Sequence, residues 1–210
     1  ALLQPGNVVI KGTQGSGKSM LLRLLDPEVR IAYFQVDPEE KSATTSNPVP
    51  KDLRHFISTR VDLNKSGLLD IANTLPDQPS PEEIRDLAKS FADLFNYWLL
   101  RGLLNCIDEI CKTPAPFADL VVPDRRDAFA VCLAAQDCWF GALTSVTDWE
   151  SLKQAVKGRV TAYRAWANGN SDLPDDIRRS RTMIGEPLSR AADLLKTTTV
   201  IGSGDRKSVV

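Results

Sequence analysis

Gly12-Thr13-Gln14-Gly15-Ser16-Gly17-Lys18-Ser19 is the stretch that decides how this chain is interpreted. It satisfies the pattern G-x-x-x-x-G-K-[ST] in full. The glycines give the backbone conformations that are closed to other residues, so that successive N–H groups can turn inward and bind phosphate oxygens. The Lys18 ammonium then suits the β- and γ-phosphates, and the Ser19 hydroxyl suits a magnesium ion. The stretch therefore predicts a site for a nucleoside triphosphate, namely ATP with Mg²⁺.

The motif also predicts which residues do the binding. We expect Lys18 to act as the catalytic residue and Ser19 to be the metal ligand. The residues expected to hold the nucleotide are Gly12, Thr13, Gln14, Gly15, Ser16, Gly17, Lys18, Ser19 and Met20.

The sequence around the motif predicts an α/β fold. Residues 7–11 form a short apolar run that is typical of a buried strand, and residues 19–25 are strong helix formers ended by Asp26-Pro27. Residues 31–36 are aromatic and β-branched, and residues 56–63 are a further extended segment. These elements predict a P-loop NTPase core, in which helices flank a parallel sheet, with a large helical insertion.

The character of the chain changes to helix after residue 79. Ser80-Pro81-Glu82-Glu83 is a capping box, and apolar residues continue at helical spacing to about Cys111. We expect further helices at residues 126–143, from a capping box at Thr147-Asp148-Trp149-Glu150 to an end at Asn168-Gly169-Asn170, after an opening formed by Asp172 and Pro174, and at residues 186–196. The predicted organisation is a core at 1–79, a helical insertion at 80–196, and the start of a further core strand at 197–210.

Composition narrows the class of protein. With 42% hydrophobic residues and 25% charged residues, the chain has the composition of a soluble globular domain. The net charge of −1 supplies no overall basic field, so contact with nucleic acid would have to be local. No apolar run is long enough to cross a bilayer, and we expect a cytoplasmic protein. The four cysteines lack paired Cys-x-x-Cys spacing and are expected to be reduced core thiols.

Weaker candidate sites lie elsewhere. Asp108-Glu109 ends a run like the magnesium-binding Walker B strand, but helical spacing continues through it and favours an acidic helix face. Residues 64–67 approach a guanine-reading pattern but lack its carboxylate, so they indicate a turn. Residues 178–181 are an arginine finger, a DNA contact, a lid or a charged helix face. Asp62 is a candidate either to bind magnesium or a water molecule, or to cap a turn.

The organisation resembles AAA+ and STAND-type P-loop ATPases, and in particular bacterial origin-recognition-like ATPases of anti-phage defence systems. Residues 8–28, residues 56–65 and the aromatic segment 91–98 carry the resemblance. It implies that a long helical insertion separates the second strand from the Walker B strand. The chain would reach that strand near Ser208-Val209-Val210, so the metal-binding Asp, the catalytic Glu, the sensors and the arginine finger are expected beyond residue 210. The absence of an initial Met indicates that an earlier part or a leader is missing.

Three functions remain open from the sequence. The first is an ATP-dependent switch or motor, an ATPase in its full-length form, that works with a second copy or an effector protein. The second is a small-molecule or nucleoside kinase, with residues 178–181 as its lid and Asp62 near its substrate. The third is a scaffold in which MgATP is only a structural ligand.

Overall fold

The computed structural model describes residues 11, 13, 23, 26–35, 57–59, 62, 66–112 and 121–198. The chain divides into two compact units, Ala1–Phe56 and Ile57–Val210. The described part of the first unit contains helix α1, Pro27–Gln35. Proline stands at its first helical position, where its missing N–H costs no hydrogen bond, and the Arg30 N–H donates to the Asp26 carbonyl.

The predicted fold class, an α/β core with a parallel sheet, is wrong for this structure. The described residues form helices and no β-strand. The expected strand at residues 31–36 is helix α1 as far as Gln35, because the start signal at Pro27-Glu28 outweighs a β-propensity that is only a weak preference. In the segment 56–63 the described residues have no regular structure. The other expected strands fall outside the described residues, except that Lys11 is irregular, Thr197 ends a helix and Thr198 lies in a turn.

The second unit is organised around helix α2, Pro81–Lys112. Its predicted capping box is confirmed: the Ser80 N–H donates to Glu83 Oε2 over 2.7 Å, and the Glu83 N–H donates to Ser80 Oγ over 3.2 Å. These bonds satisfy two backbone donors that the first turn leaves unpaired, and they lower the pKa of Glu83. The predicted length, to about Cys111, is also confirmed.

The remaining helices follow the predicted order with two corrections. Helix α3 is Arg126–Ala134 rather than 126–143. The Gln136 side chain donates to the Cys132 carbonyl, and the positive φ angles of Phe140 and Gly141 reverse the chain soon afterwards. Helix α4, Trp149–Ala167, begins at an Asp148–Ser151 capping box, one residue later than the expected Thr147–Glu150 pair.

Two further helices lie in the described part of the unit. Helix α5 is Asp175–Arg179 and helix α6 is Glu186–Thr197. Between residues 66 and 198, the described segments also contain short 3-10 helices that connect the longer elements, at Asp70–Thr74, Pro123–Arg125 and Asp137–Trp139.

The core lies where α2 packs along α4, with α3 and α6 closing it at the sides. The buried residues recur every three or four positions, which places them on one face of each helix. They include Leu94, Leu100, Leu104 and Ile107 on α2, Leu152, Val156 and Val160 on α4, Phe129 and Leu133 on α3, and Ala191 and Leu195 on α6. Two clusters of polar side chains interrupt this apolar core.

Candidate functional site

The phosphate motif falls largely outside the described residues. Thr13, together with Lys11 just before the motif, is exposed and in irregular backbone. The other predicted binding residues lie outside the described part of the chain: Gly12, Gln14, Gly15, Ser16, Gly17, Lys18, Ser19 and Met20. Asp62, the candidate for magnesium or water, is exposed and in irregular backbone. The roles of the motif residues stay predictions.

Asp108 is the centre of the first polar cluster, and it lies within α2 as the helical spacing predicts. Its Oδ1 accepts hydrogen bonds from Arg126 Nη1 at 3.0 Å and from Trp149 Nε1 at 2.7 Å. Its Oδ2 lies 2.7 Å from Lys153 Nζ. The Asp108 side chain is only 13% exposed, so the expectation of a solvated acidic face is wrong for this residue. Glu109, its neighbour in the Walker B-like run, pairs with Lys112 on the surface.

The environment of Asp108 holds its carboxylate ionised. Burial acts to raise the pKa of Asp108, but the hydrogen bonds from Lys153 and Trp149, together with the positive charges of Lys153 and Arg126, outweigh it and place the pKa below its ordinary value. The same contact raises the pKa of Lys153. Three donors from α3 and α4 bind the two oxygens, so this carboxylate ties α2, α3 and α4 together. Among the described residues, no three His, Cys, Asp or Glu side chains are grouped to hold a metal ion.

We expect the stability difference between the wild type and Asp108→Asn to depend on pH. Because the folded-state pKa lies below the unfolded value of about 3.9, the ionised carboxylate stabilises the fold above that value. This contribution is lost as the pH falls through the folded-state pKa. Urea unfolding followed by circular dichroism should therefore give a difference of about 1 kcal/mol near neutral pH that shrinks below about pH 4. A difference of the same size at every pH would show that the charge on Asp108 does not stabilise the fold.

The second cluster surrounds Asp93, which is 0% exposed. Arg159 Nε donates to Asp93 Oδ2 over 2.8 Å, and the Tyr163 hydroxyl donates to the same oxygen over 2.9 Å. The backbone N–H and the hydroxyl of Thr182 donate to Asp93 Oδ1 over 2.8 and 2.7 Å. Burial, followed by the negative charge of Asp93, raises the pKa of Tyr163, so this hydroxyl stays protonated and remains a donor. The arrangement satisfies a buried carboxylate completely.

The Asp93 cluster fastens residues 180–185 to the middle of α2. The Arg159 guanidinium donates to Ser180 Oγ and to the Ser180 carbonyl, and it lies 4.9 Å from the centre of the Tyr97 ring. Asn96 donates to Thr182 Oγ1 and to the Met183 carbonyl, and it accepts from the Gly185 N–H. We call residues 180–185 the strap. Sequence reasoning missed the strap, although Asp93 and Asn96 are polar residues on the apolar stripe of a predicted helix.

The arginines at 178–181 bind groups of their own unit. Arg178 donates to the Leu173 carbonyl, and Arg179 donates to the Asp175 carbonyl. Both lie on the exposed side of the short helix α5, as the interpretation of a charged helix face predicts. Arg181 lies beyond α5 and binds the Asp86 carboxylate over 2.7 Å and Ser90 Oγ over 3.1 Å. These local bonds do not favour the kinase-lid hypothesis.

The four cysteines are free thiols. Burial raises the pKa of Cys111 and of Cys138, which disfavours the reactive thiolate form of both. None of the helices in the described ranges combines the length and apolar character that crossing a membrane requires.

Comparison with known proteins bears on the family of this chain. A family model described as ORC-CDC6-like matches residues 1–207. No curated protein and no solved structure matches the chain. The matched range includes the motif at residues 12–19 and the whole described helical unit.

Proposed function

The chain belongs to the ORC-CDC6-like family, and on that premise we propose that it binds ATP at residues 12–19 and acts as a nucleotide-dependent switch. Membership of this family supports an AAA+ nucleotide-binding ATPase module. The single observation that carries the proposal is the complete G-x-x-x-x-G-K-[ST] motif inside the matched range.

The donor set of the motif fits a magnesium-bound triphosphate. Lys18 provides a cation for the β- and γ-phosphates, and the backbone N–H groups around the glycines provide neutral donors. Ser19 provides a hydroxyl oxygen, which is the hard ligand type that Mg²⁺ takes together with phosphate oxygens. When bound, the metal neutralises charge on the phosphates. In this proposal, contacts to the γ-phosphate order the segments around the motif, so that ATP and ADP favour different states.

We expect Lys18→Ala to weaken MgATP binding roughly tenfold to hundredfold, because a hydrogen bond to a charged group contributes about 1.5–3 kcal/mol. Isothermal titration calorimetry on the full chain measures the dissociation constant directly. The matched control is Lys11→Ala, which removes the same charge from an exposed residue just before the motif and should change affinity much less. Equal affinities for the wild type and Lys18→Ala would contradict the proposal, and so would a wild type that does not bind.

The switch is distinguished from a scaffold by comparing nucleotides. At a hundredfold excess over its dissociation constant, any ligand that binds only the folded state stabilises it by about 2.7 kcal/mol. Added stability therefore does not separate a switch from a scaffold. A purely structural ligand would give the same amide exchange pattern with ATP and with ADP. For a switch, we expect the amide exchange pattern with ATP to differ from the pattern with ADP.

The defence setting and the partner, a second copy or an effector protein, stay predictions from the resemblance.

A further inference from the structure

A narrow cleft lies on the seam between α2 and α4, within the helical unit. Asp93, in the first half of α2, binds Arg159 in the second half of α4. Asp108, near the end of α2, binds Lys153 in the first half of α4. The two helices therefore run antiparallel, and the cleft follows the second half of α2 and the first half of α4. Its volume is about 240 Å³.

The cleft carries more positive than negative charge. Three cations line it, Arg101 of α2 and Lys153 and Lys157 of α4, and the described lining residues include a single carboxylate, that of Glu150. Lys153 Nζ lies 3.2 Å from Glu150 Oε2 and 2.7 Å from Asp108 Oδ2, so this lysine already has anionic partners. In the part of the chain that the structure describes, no carboxylate forms an ion pair with Arg101 or Lys157. These two cations are available to an anion from outside.

Trp98 holds one of these cations in place without neutralising it. The guanidinium carbon of Arg101 lies 5.2 Å from the centre of the Trp98 ring, within the range of cation–π attraction. The ring is itself fixed, because its Nε1 donates to the Ser66 carbonyl over 2.6 Å. A guanidinium held in this way can present its N–H donors to a carboxylate with little further loss of side-chain freedom.

The size and floor of the cleft suit a single inserted side chain. Clefts that take whole small ligands usually measure about 300–1,000 Å³, which is more than this cleft provides. Leu104 and Val156 line it and are each only 1% exposed, so they form an apolar floor. A glutamate side chain matches both features, because its methylene groups can lie on the floor while its carboxylate reaches the cations. Asn105 and Gln154, both exposed, add amide groups of the kind that pair with a peptide backbone.

The charges around the cleft favour a protein segment over a nucleic acid. The Glu150 side chain is 65% exposed, and it would repel a chain of phosphates that passed over the cleft. Two available cations are fewer than the several phosphate contacts on which affinity for nucleic acid depends. The net charge of −1 adds no overall basic field that would attract a polyanion.

We propose that this cleft is a docking site for an acidic protein segment, which inserts a glutamate carboxylate between Arg101 and Lys157. The docking site goes beyond the proposed function, because every described residue of the cleft belongs to the helical unit and none to the motif. Docking in this form does not require bound nucleotide.

The first test measures the binding of a fluorescent octaglutamate peptide to the full chain by anisotropy. We expect saturable binding at low salt that weakens as the salt concentration rises. An octaglutamine peptide, which has the same length and no charge, should not bind. The absence of saturable octaglutamate binding would overturn the docking site. Tighter binding of an eight-nucleotide oligothymidylate would overturn it in favour of a nucleic acid.

The second test locates the peptide. Arg101→Gln and Lys157→Gln each remove one available cation and should weaken octaglutamate binding about fivefold, which is the strength of a partly exposed ion pair. Lys89→Gln is the matched control, because it removes a charge from an exposed position on α2 about three turns before Arg101. Its affinity should equal that of the wild type. Wild-type affinity in both cleft variants, or an equal loss in Lys89→Gln, would overturn the docking site.

Two further comparisons test the floor and the independence of the site. Octaaspartate lacks one methylene group per residue and should bind about twofold to fourfold more weakly than octaglutamate, whereas tighter binding would contradict insertion onto the apolar floor. Lys18→Ala should bind octaglutamate as the wild type does, and a loss there would show that the peptide binds at the motif instead. Urea unfolding confirms beforehand that each variant is folded. A chain that binds MgATP but not octaglutamate would remove the docking site alone, and the converse would remove the proposed function alone.

Discussion

The Asp93→Ala variant is expected to lose about 3–5 kcal/mol of its free energy of unfolding. The substitution leaves the Arg159 guanidinium, itself only 7% exposed, without the carboxylate that neutralises it. It also removes the acceptor of the Tyr163 hydroxyl and of both Thr182 donors. A buried charge and several buried donors without partners cost far more than the net contribution of the bonds when they are made. Equilibrium urea denaturation measures the loss.

Two controls separate the cause of this loss. Glu109→Ala removes another carboxylate of α2, but this one pairs with Lys112, and both side chains are well exposed (40% and 70%), so the expected loss is much smaller. Asp93→Asn keeps the shape and one acceptor oxygen while removing the charge, so it should fall between the two alanine variants. Similar losses for Asp93→Ala and Glu109→Ala would show that the buried cluster is not a principal source of stability.

Trp139→Ala should lower the free energy of unfolding by about 3–5 kcal/mol, for a different reason. Trp139 is 0% exposed and meets the Tyr97 ring edge-on, with centroids 5.3 Å apart. Its removal forfeits the transfer of a large apolar surface from water and leaves a cavity that the surrounding helices fill only in part. Denaturation by urea with circular dichroism detection gives the value.

Trp139→Phe tests the polar part of the same side chain. Among the described residues, neither the buried indole Nε1 nor the buried hydroxyl of Tyr97 has a hydrogen-bond partner. Phenylalanine loses volume, which is destabilising, but it also removes an unpaired donor whose burial costs about 1–3 kcal/mol. We expect the two effects to offset each other to within about 1 kcal/mol. A loss as large as that of the alanine variant would contradict this account.

Local signals in the sequence predict the helices of the second unit well. The Ser80–Glu83 capping box and the apolar spacing of α2 each involve residues only three or four positions apart, so both can be recognised in the sequence without knowledge of tertiary contacts. The local signals conflict at residues 31–35, where β-propensity predicts a strand but the chain continues the helix that starts at Pro27. They failed again after Ala134, where the Gln136 side chain and two positive φ angles end the helical run early.

The candidate functional residues also include some that local sequence predicts and some that it does not. The motif at residues 12–19 is recognised from eight consecutive residues, because each position has its own chemical task. The two polar clusters could not be found like this. Asp108 and Lys153 lie on different helices, and Asp93 and Thr182 are 89 positions apart. No local pattern states which buried carboxylate meets which arginine, and only the packing of α2 against α4 determines the partners.

The strap also determines when the second unit can complete its folding during synthesis on the ribosome. Asp93 and Asn96 are synthesised early, whereas the groups that satisfy them at Thr182 and Gly185 emerge almost ninety residues later. Until then, the Asp93 carboxylate and the Asn96 amide lack these partners on the face of α2 that is buried in the folded unit. Any fragment cut before residue 180 would keep both side chains but discard the Thr182, Met183 and Gly185 groups that bind them, although Asp93 would retain Arg159 and Tyr163. Its boundary would therefore fall inside one cooperative folding unit.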